Sequence, residues 1–342
     1  MEAVRLVAPR TFDRVTLAPR LVGPGDVRVE VAAVSICGSD LLGYLGQHPR
    51  IKPPTIIGHE LAGTITERGA SVDGLPIGTR VAVDPTSGCG TCRYCLAGRW
   101  NVCPEYIVLG EGEELPGGLS GNVVIRTDRV FPLPDSVSFE VGAIAQPLAV
   151  ALHAVRDRAR LQPGETMLIL GGGPIGVGAM LAANALGGKA IVVDLVPERL
   201  ALARELGAWQ TIDAGTEDVD ARVLEMTDGW GTDTAIEAVG AGQNALFAQA
   251  VRLTARGGRI VVVGLKASSI DFDLGSVKWM EKSVLGSQAH PHTFPEVVAR
   301  LADGSLAGAG MITHRFDWDH VPDAFTLLES RADGVLKVVL VR

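Results

Sequence analysis

The sequence predicts an α/β protein in which a doubly wound parallel sheet domain accompanies a second, mainly β domain. The chain has 342 residues, which is more than a domain with a single hydrophobic core usually contains, so two domains are favoured. Over residues 27–31 apolar and polar side chains alternate strictly, as in a half-buried strand with Arg28 and Glu30 facing outward. After Ser138 a helical period begins, and short apolar runs then alternate with helix-length segments. That second pattern is typical of a parallel sheet with helices on both faces.

The elements follow in order along the chain. Short strands between Gly and Pro turns are expected up to about residue 133, followed by a helical stripe that Pro147 should kink or divide. Further helices are expected at residues 177–186 and 197–206, and the tail from about residue 286 should end in a strand, residues 335–340, that returns to the first domain. The parallel strands are predicted from the apolar runs at residues 167–170, 190–193, 234–236 and 260–263. The last of these runs is a candidate edge for subunit pairing.

The charge and composition exclude several classes of partner. A net charge of -8 opposes binding to nucleic acid or to an anionic membrane, because a phosphate surface would be repelled. The first residues lack a basic stretch followed by an apolar one, and no apolar run reaches about 18 residues, so we expect a cytoplasmic protein. The five cysteines are an odd number with four close together, which suits metal binding better than disulfides.

A glycine-rich loop follows the run at 167–170. Its sequence, Gly171-Gly172-Gly173-Pro174-Ile175-Gly176, has the form G-x-G-x-x-G and opens an Ala-rich helix. Gly171 can form the tight turn, Gly173 leaves room for a pyrophosphate, and Gly176 allows the helix and strand to pack closely. Pro174 suits the first helical turn, and Ile175 completes the loop. The pattern predicts dinucleotide binding at a helix N-terminus.

An acidic residue after the next apolar run strengthens this prediction. Asp194 can accept hydrogen bonds from the ribose hydroxyls of the adenosine, and it would repel a 2′-phosphate, which favours NAD over NADP. The alternative is an ordinary turn residue at a strand end. Arg199, in the following helix, is a further candidate for cofactor binding.

Four cysteines are spaced C-x2-C-x2-C-x7-C, at Cys89, Cys92, Cys95 and Cys103. Four thiolates with short gaps can close a tetrahedron around Zn²⁺, and such a closed site has a structural role. The alternatives are an iron–sulfur cluster or four unrelated buried cysteines.

The fifth cysteine, Cys37, precedes His59 and Glu60 by little more than twenty residues. A thiolate, an imidazole and a carboxylate form an open zinc site that leaves room for an alcohol oxygen. Taken singly, Cys37 could instead be a small buried residue and His59 a core histidine.

These motifs together resemble the zinc-containing medium-chain dehydrogenase/reductases nearly end to end. The resemblance implies a GroES-like catalytic domain at residues 1–148 with a structural zinc lobe at about 86–106, a Rossmann NAD-binding domain at 149–285, and a return to the catalytic domain at 286–342. Residues 146–154 and 293–296 are similar to the sorbitol and sugar dehydrogenase branch. The motifs that carry it are Cys37-Gly38-Ser39-Asp40, Gly58-His59-Glu60, the four cysteines, the glycine loop and Asp194.

Two positions depart from that family's pattern. Residue 146 is usually Glu in this branch and is here Gln146, so we expect Cys37, His59 and Glu60 to bind the catalytic zinc and Gln146 to be a fourth or water-bridged ligand. Leu42 replaces a His that often relays the proton to solvent. Ser39 then remains as the hydroxyl that accepts the substrate proton, unless it only caps nearby backbone.

The resulting hypothesis is an NAD-linked enzyme with two zinc ions per chain that oxidises a secondary alcohol of a polyol, cyclitol or sugar. A threonine-type or aldose dehydrogenase, or a zinc- and nucleotide-binding protein without turnover, are the alternatives. The resemblance implies a homotetramer or homodimer. Trp279 and Phe294 are expected in the core rather than in the pocket wall. Polar pocket candidates are Tyr44, Gln47, His48 and Glu111.

Overall fold

The computed structural model describes residues 1–112, 115–239, 243–264, 269–332 and 334–342. The chain divides into two compact units. The first unit contains Met1–Gln146, Phe294–Gly304 and Ile312–Arg342, and the second contains Pro147–Thr293 and Ser305–Met311. The chain thus re-enters the first unit at Phe294, later than residue 286, and leaves it once more for a short segment. Within the described residues, no helix has both the length and the apolar character needed to cross a membrane.

The strands are β1 Glu2–Ala8, β2 Thr11–Thr16, β3 Asp26–Ser35, β4 Glu60–Arg68, β5 Arg80–Val83, β6 Thr86–Ser87, β7 Ile107–Val108, β8 Asn122–Arg126, β9 Val130–Pro132, β10 Thr166–Leu170, β11 Lys189–Asp194, β12 Gln210–Asp213, β13 Thr232–Glu237, β14 Thr254–Val262, β15 Ser283–Gly286, β16 Ile312–Asp317 and β17 Lys337–Val341.

The helices are α1 Gly38–Tyr44, α2 Arg93–Leu96, α3 Phe139–Ala143, α4 Ala145–Leu152, α5 Pro174–Ala185, α6 Pro197–Glu205, α7 Val219–Met226, α8 Gln243–Leu253, α9 Leu274–Trp279, α10 Phe294–Ala302 and α11 Val321–Ser330.

The main sheet of the first unit has the order β16-β17-β3-β4-β5-β9, and β8 also pairs with β3. Its pairs are antiparallel except for β16 with β17. The alternation along β3 is as the sequence predicts: Val27, Val29 and Val31 are buried, whereas Glu30 is exposed. The C-terminal strand β17 pairs with β3, so the end of the chain does return to the first unit. The carboxyl end of β3 therefore lies between the C-terminal strand and the start of β4.

The second unit contains a six-stranded parallel sheet with the order β12-β11-β10-β13-β14-β15. Numbered from β10, this is the doubly wound order 3-2-1-4-5-6 of the Rossmann fold. The four predicted runs all form strands, but the expectation that 260–263 lies at an edge is wrong, because β14 is interior and β15 is outermost. The sequence did not predict β12 or β15, which are short and mix polar with apolar residues.

The helical stripe after Ser138 is divided, as the sequence predicts, but three residues before Pro147. Helix α3 ends at Ala143 and α4 begins at Ala145, so Pro147 lies in the first turn of α4. A proline ring clashes with the carbonyl four residues earlier, which here belongs to Ala143. The interruption at Ile144 removes that clash.

Candidate active site

Three potential metal ligands meet in the first unit. Cys37 is the N-cap of α1, and His59 and Glu60 stand at the start of β4. The pairing of Ser35 with Glu60 across β3 and β4 brings these two segments together. One ligand atom from each of the three side chains lies within 4.8 Å of the others. Among the described residues, the group of potential metal ligands at this place consists of these three side chains. Such an open set suits a catalytic zinc.

Asp40, which the sequence analysis did not assign a role, holds this cluster together. Its Oδ2 accepts a hydrogen bond from the backbone N–H of Cys37 (3.0 Å), and its Oδ1 accepts one from that of Gly58 (3.1 Å). Oδ1 also lies 3.4 Å from Nδ1 of His59. A carboxylate behind a metal-binding histidine fixes the ring orientation. Its position three residues after Cys37, in the first turn of α1, was the signal that could have revealed it.

The charges in this cluster favour a cation. Burial alone would lower the pKa of His59, but the adjacent Asp40 carboxylate and Cys37 thiol outweigh it and raise that pKa well above its ordinary value. Burial likewise opposes ionisation of Asp40, yet His59 and the two backbone N–H donors hold its pKa below the usual range. Positive charge is therefore stabilised where the three ligand atoms meet.

A second residue that the sequence analysis missed is Lys337 at the start of β17. Its Nζ donates to Oε2 of Glu60 (2.5 Å) and to the backbone carbonyl of Ile36 (3.0 Å). The other carboxylate oxygen, Oε1, is buried and has no hydrogen-bond partner in the described part of the chain. A buried carboxylate oxygen without a donor is costly unless a cation binds it, so this cluster fits a metal ion. The signal in the sequence that could have revealed Lys337 was a single charged residue in an otherwise apolar predicted strand.

Three further positions that the sequence analysis singled out lie outside this group of three ligands. Ser39 is half-buried in the first turn of α1, two residues beyond Cys37. Gln146 is buried near the start of α4. Leu42 is half-buried, and its backbone carbonyl accepts a hydrogen bond from the N–H of His48 (3.1 Å). The roles of Ser39 and Gln146 stay predictions.

Two of the polar pocket candidates form an ionic cluster with Arg50. Nδ1 of His48 accepts a hydrogen bond from the backbone N–H of Ile51 (3.0 Å), which places the ring proton of a neutral His48 on Nε2. That nitrogen lies 4.0 Å from Oε1 of Glu111, whose Oε2 pairs with the guanidinium of Arg50. Burial lowers the pKa of His48, so the neutral form is favoured.

Of the three remaining expectations treated next, the structure agrees with one and differs from two. Tyr44 is buried and packs against the rings of Phe12 and Phe325, so it belongs to the core and not to a polar pocket. Phe294 is buried as expected. The expectation for Trp279 is wrong, because 75% of this residue is exposed near the end of α9.

The four cysteines come together in one lobe of the first unit. The sulfur of Cys103 lies 3.6 Å from that of Cys89 and 3.7 Å from that of Cys92. Four sulfurs placed about 2.3 Å from a tetrahedral zinc are about 3.8 Å apart, so this spacing fits zinc closely. Gly88 is required beside them, because a Cβ there would lie 2.6 Å from the sulfur of Cys95.

Hydrogen bonds from the backbone orient these sulfurs. The N–H groups of Cys89 and Glu105 donate to Cys103, and that of Cys92 donates to Cys89. Thr91 adds a hydroxyl donor to the Cys89 sulfur at 3.5 Å. These hydrogen bonds from Thr91 and Cys92 lower the pKa of Cys89 to about 6. A thiolate is the form that binds zinc.

The glycine loop of the second unit joins β10 to α5. Gly171 has a φ of +108°, and a Cβ at Gly176 would lie 1.7 Å from the Gly171 carbonyl oxygen. Gly173 is the N-cap of α5, and no described atom lies within 4 Å of a Cβ added there. Pro174 is the first helical residue. Half-buried Ile175 follows in the first turn. The loop thus combines close packing on one side with open space on the other, as phosphate binding requires.

Asp194 at the end of β11 lies against this loop. Its Oδ2 accepts a hydrogen bond from the Gly172 N–H (2.6 Å), and its Oδ1 accepts from Leu195 and Val196 (2.8 and 2.9 Å). Arg199 lies on α6, with its backbone N–H bonded to the carbonyl of Val196. These donors fix the Asp194 carboxylate beside the glycine turn.

The fold and these clusters together define the class of the protein: a zinc-containing dehydrogenase that uses a nicotinamide dinucleotide. Comparison with known proteins agrees. The chain matches the family model described as Alcohol dehydrogenase GroES-like domain over residues 23–135, and that described as Zinc-binding dehydrogenase over residues 174–303.

Individual relatives span nearly the whole chain. An L-idonate 5-dehydrogenase of Vitis vinifera is 37% identical, over 93% of this chain and 88% of its own length. A sorbitol dehydrogenase of Bacillus subtilis (strain 168) is 34% identical, over 99% of this chain and 97% of its own. The crystal structure of an alcohol dehydrogenase from Escherichia coli CFT073 complexed with NADH superposes with a TM-score of 0.92 at 30% identity, covering 100% of this chain and 99% of that one.

The chain therefore belongs to the zinc-containing medium-chain dehydrogenase/reductase family, in its sorbitol dehydrogenase-like branch. The resemblance and the fold class predicted from the sequence are confirmed. Zinc and a nicotinamide dinucleotide are accordingly its cofactors.

Proposed function

We propose that this protein oxidises a secondary alcohol of a polyol, cyclitol or sugar with NAD, using a catalytic zinc held by Cys37, His59 and Glu60. The observation that carries the proposal is the buried Oε1 of Glu60, which has no hydrogen-bond partner among the described residues and belongs to a cluster of three potential ligands. A closed structural site would use four protein ligands, whereas three leave a position for a substrate oxygen.

Zinc would supply Lewis-acid chemistry that lowers the pKa of an alcohol, and the nicotinamide would accept the hydride. The chain supplies position and proton transfer. Asp40 orients the ring of His59 through its 3.4 Å contact. Ser39 is two residues from Cys37 and lacks the family's usual His partner at Leu42. Its hydroxyl accepts the hydroxyl proton of the substrate and passes a proton on to the nicotinamide ribose or to water. Gln146 acts as a fourth or water-bridged ligand. The four cysteines bind the structural zinc.

A hydroxylated substrate is supported by the relatives and by polar side chains of the first unit. The L-idonate and sorbitol dehydrogenases act on polyhydroxylated compounds, as their names state. His48 presents a neutral imidazole toward Glu111, and Arg50 neutralises that carboxylate. We expect such donors and acceptors to favour several hydroxyl groups over an alkyl chain.

The test is a substrate panel with the purified, zinc-replete protein. NADH formation should be fastest with a polyol, cyclitol or sugar, slower with simple secondary alcohols and negligible with threonine. Activity on threonine alone would refute the polyol reading, and preference for an aldose would move the protein to that subclass. Binding of NADH without oxidation of any alcohol would instead identify a protein that has lost turnover.

The preference for NAD over NADP rests on Asp194. Its carboxylate, fixed beside the glycine loop, would repel a 2′-phosphate and accept the two ribose hydroxyls. Replacing Asp194 with Ser should weaken NAD binding and raise the ratio of NADP to NAD activity, measured as kcat/KM. Equal use of both cofactors by the unchanged protein would overturn this part of the proposal.

We further propose a cytoplasmic homo-oligomer, a tetramer or a dimer, that binds neither nucleic acid nor membrane. Support comes from the negative net charge and from the implied oligomers of the family. Light scattering after size-exclusion chromatography measures the subunit number directly, and a monomer would contradict the proposal.

A further inference from the structure

Lys337 is a charged residue in a buried position, where a charge is energetically unfavourable. It begins β17 in an otherwise apolar run, and only 1% of it is exposed. An ammonium group removed from water requires partners of opposite charge or strong acceptors. A lysine at this position is therefore expected to have a specific role.

Of the two partners of Lys337, one belongs to the candidate zinc cluster and the other precedes a member of it. Its Nζ donates to Oε2 of Glu60 and to the carbonyl of Ile36, the residue that precedes Cys37. The backbone reinforces this arrangement, because the N–H of Ile36 donates to the carbonyl of Val338 at 3.0 Å. One cation from the C-terminal strand thus contacts both segments that carry the three ligands.

The contact also determines how Glu60 is presented. With Oε2 held by the ammonium, the carboxylate cannot rotate freely, and Oε1 is the oxygen left without a donor among the described residues. A ligand held in this way is preorganised to bind a metal through one oxygen. Without Lys337, a fully buried carboxylate would lose its only hydrogen-bonded cation in the described structure.

We propose that Lys337 is a positioning residue for the catalytic zinc: it fixes the Glu60 carboxylate and the peptide that leads into Cys37, so that the open ligand set exists before the metal binds. The inference rests on the proposed zinc ligands. It adds a function for the C-terminal strand, which then contributes to the metal site without supplying a ligand.

The experiment compares two buried lysines. Lys337→Met removes the ammonium while keeping an unbranched side chain, and Lys282→Met does the same at a residue of the second unit that is 6% exposed and donates to the carbonyl of Val251. Both variants lose a buried charge, but only the first touches the cluster. Lys337→Gln, which keeps a donor without the charge, carries the test if Lys337→Met does not fold.

The first readout is zinc per chain after competition with a graded series of chelators. The unchanged protein and Lys282→Met should hold two ions, and the Lys337 variants should bind the catalytic one about 10-fold to 100-fold more weakly while keeping the four-cysteine zinc. Unchanged or tighter binding of the catalytic zinc in the Lys337 variants would overturn the inference. If the protein without substitutions holds only the four-cysteine zinc, the proposed catalytic metal is refuted instead.

A second readout separates positioning from general destabilisation. Cobalt substituted for the catalytic zinc reports its ligands by visible absorption, and this spectrum should change in the Lys337 variants but not in Lys282→Met. In a Glu60→Gln background, Lys337→Met should weaken metal binding much less than in the unchanged protein, because the carboxylate that it holds is gone. Equal effects in both backgrounds would show that Lys337 does not act through Glu60.

Discussion

The two clusters of potential metal ligands in the first unit differ in how the chain builds them. The cysteine lobe takes all its ligands from a short segment between Cys89 and Cys103, and backbone N–H groups orient the sulfurs. The other cluster joins the end of β3 to the start of β4, and Lys337, which is hydrogen-bonded to one of its ligands, is 277 residues away from Glu60 in the sequence. A local site is encoded by spacing, whereas the second site depends on the whole sheet.

This difference has a chemical counterpart. The lobe offers four cysteines, which as thiolates would close the coordination of zinc and leave no position for substrate. The second cluster offers three different ligand types, with buried side chains of Asp40 and Lys337 behind them. The lobe should therefore contribute to folding, and the second cluster to chemistry. Four experiments test this division of roles.

The largest effect is expected for the lobe. Cys103→Ser should lose one zinc and unfold residues 86–106, because metal binding to a structural site is coupled to folding, with a free energy on the order of 10 kcal/mol in isolated zinc-finger peptides. Hydrogen exchange of that segment, together with metal analysis, measures both losses. The matched variant Cys37→Ser should lose the other zinc and leave exchange in the lobe unchanged. A protected lobe in Cys103→Ser would contradict the division.

Chelation should separate the two ions without mutation. The three-ligand zinc should leave first, and activity should fall at least about 100-fold in step with it, since the loss of one preorganised electrostatic group has effects of that size. The circular dichroism spectrum and the exchange of residues 86–106 should stay constant until the second ion leaves. If the first equivalent removed comes from the lobe, or if activity survives its loss, the proposed roles are reversed.

The difference between the clusters also explains what the sequence could predict. The four cysteines, the glycine loop and the β3 alternation are local patterns, and each is present in the structure where its period or spacing indicates. Lys337 could not be paired with Glu60 in advance, because their contact depends on β17 pairing beside β3 in register. The edge strand β15 was missed for a related reason: its short, mixed sequence acquires strand structure from the pairing with β14.

Asp40 tests whether the second cluster depends on side chains beyond the ligands. Asp40→Asn keeps the shape but removes the charge next to His59, and it should lower catalytic zinc affinity or activity about 10-fold to 100-fold, with the lobe unaffected. Asp233→Asn is the control, since this carboxylate accepts from Thr166 in the second unit. A comparable loss in both variants would assign the effect to general destabilisation.

The smallest effect is expected for Thr91, the side chain that supports the lobe in the way Asp40 supports the other cluster. Its hydroxyl donates to the Cys89 sulfur but is exposed, so water can replace it in Thr91→Val. The backbone N–H of Cys92 continues to donate to the same sulfur at 3.3 Å.

We therefore expect Thr91→Val to keep two zinc ions and full activity, and to speed zinc release from the lobe by less than about tenfold, the upper range for one exposed hydrogen bond. Stopped-flow release to a chromogenic chelator measures this rate. An effect as large as that of Asp40→Asn would show that the lobe also depends on a side-chain shell. The contrast between a site oriented by its own backbone and one oriented by distant side chains would then fail.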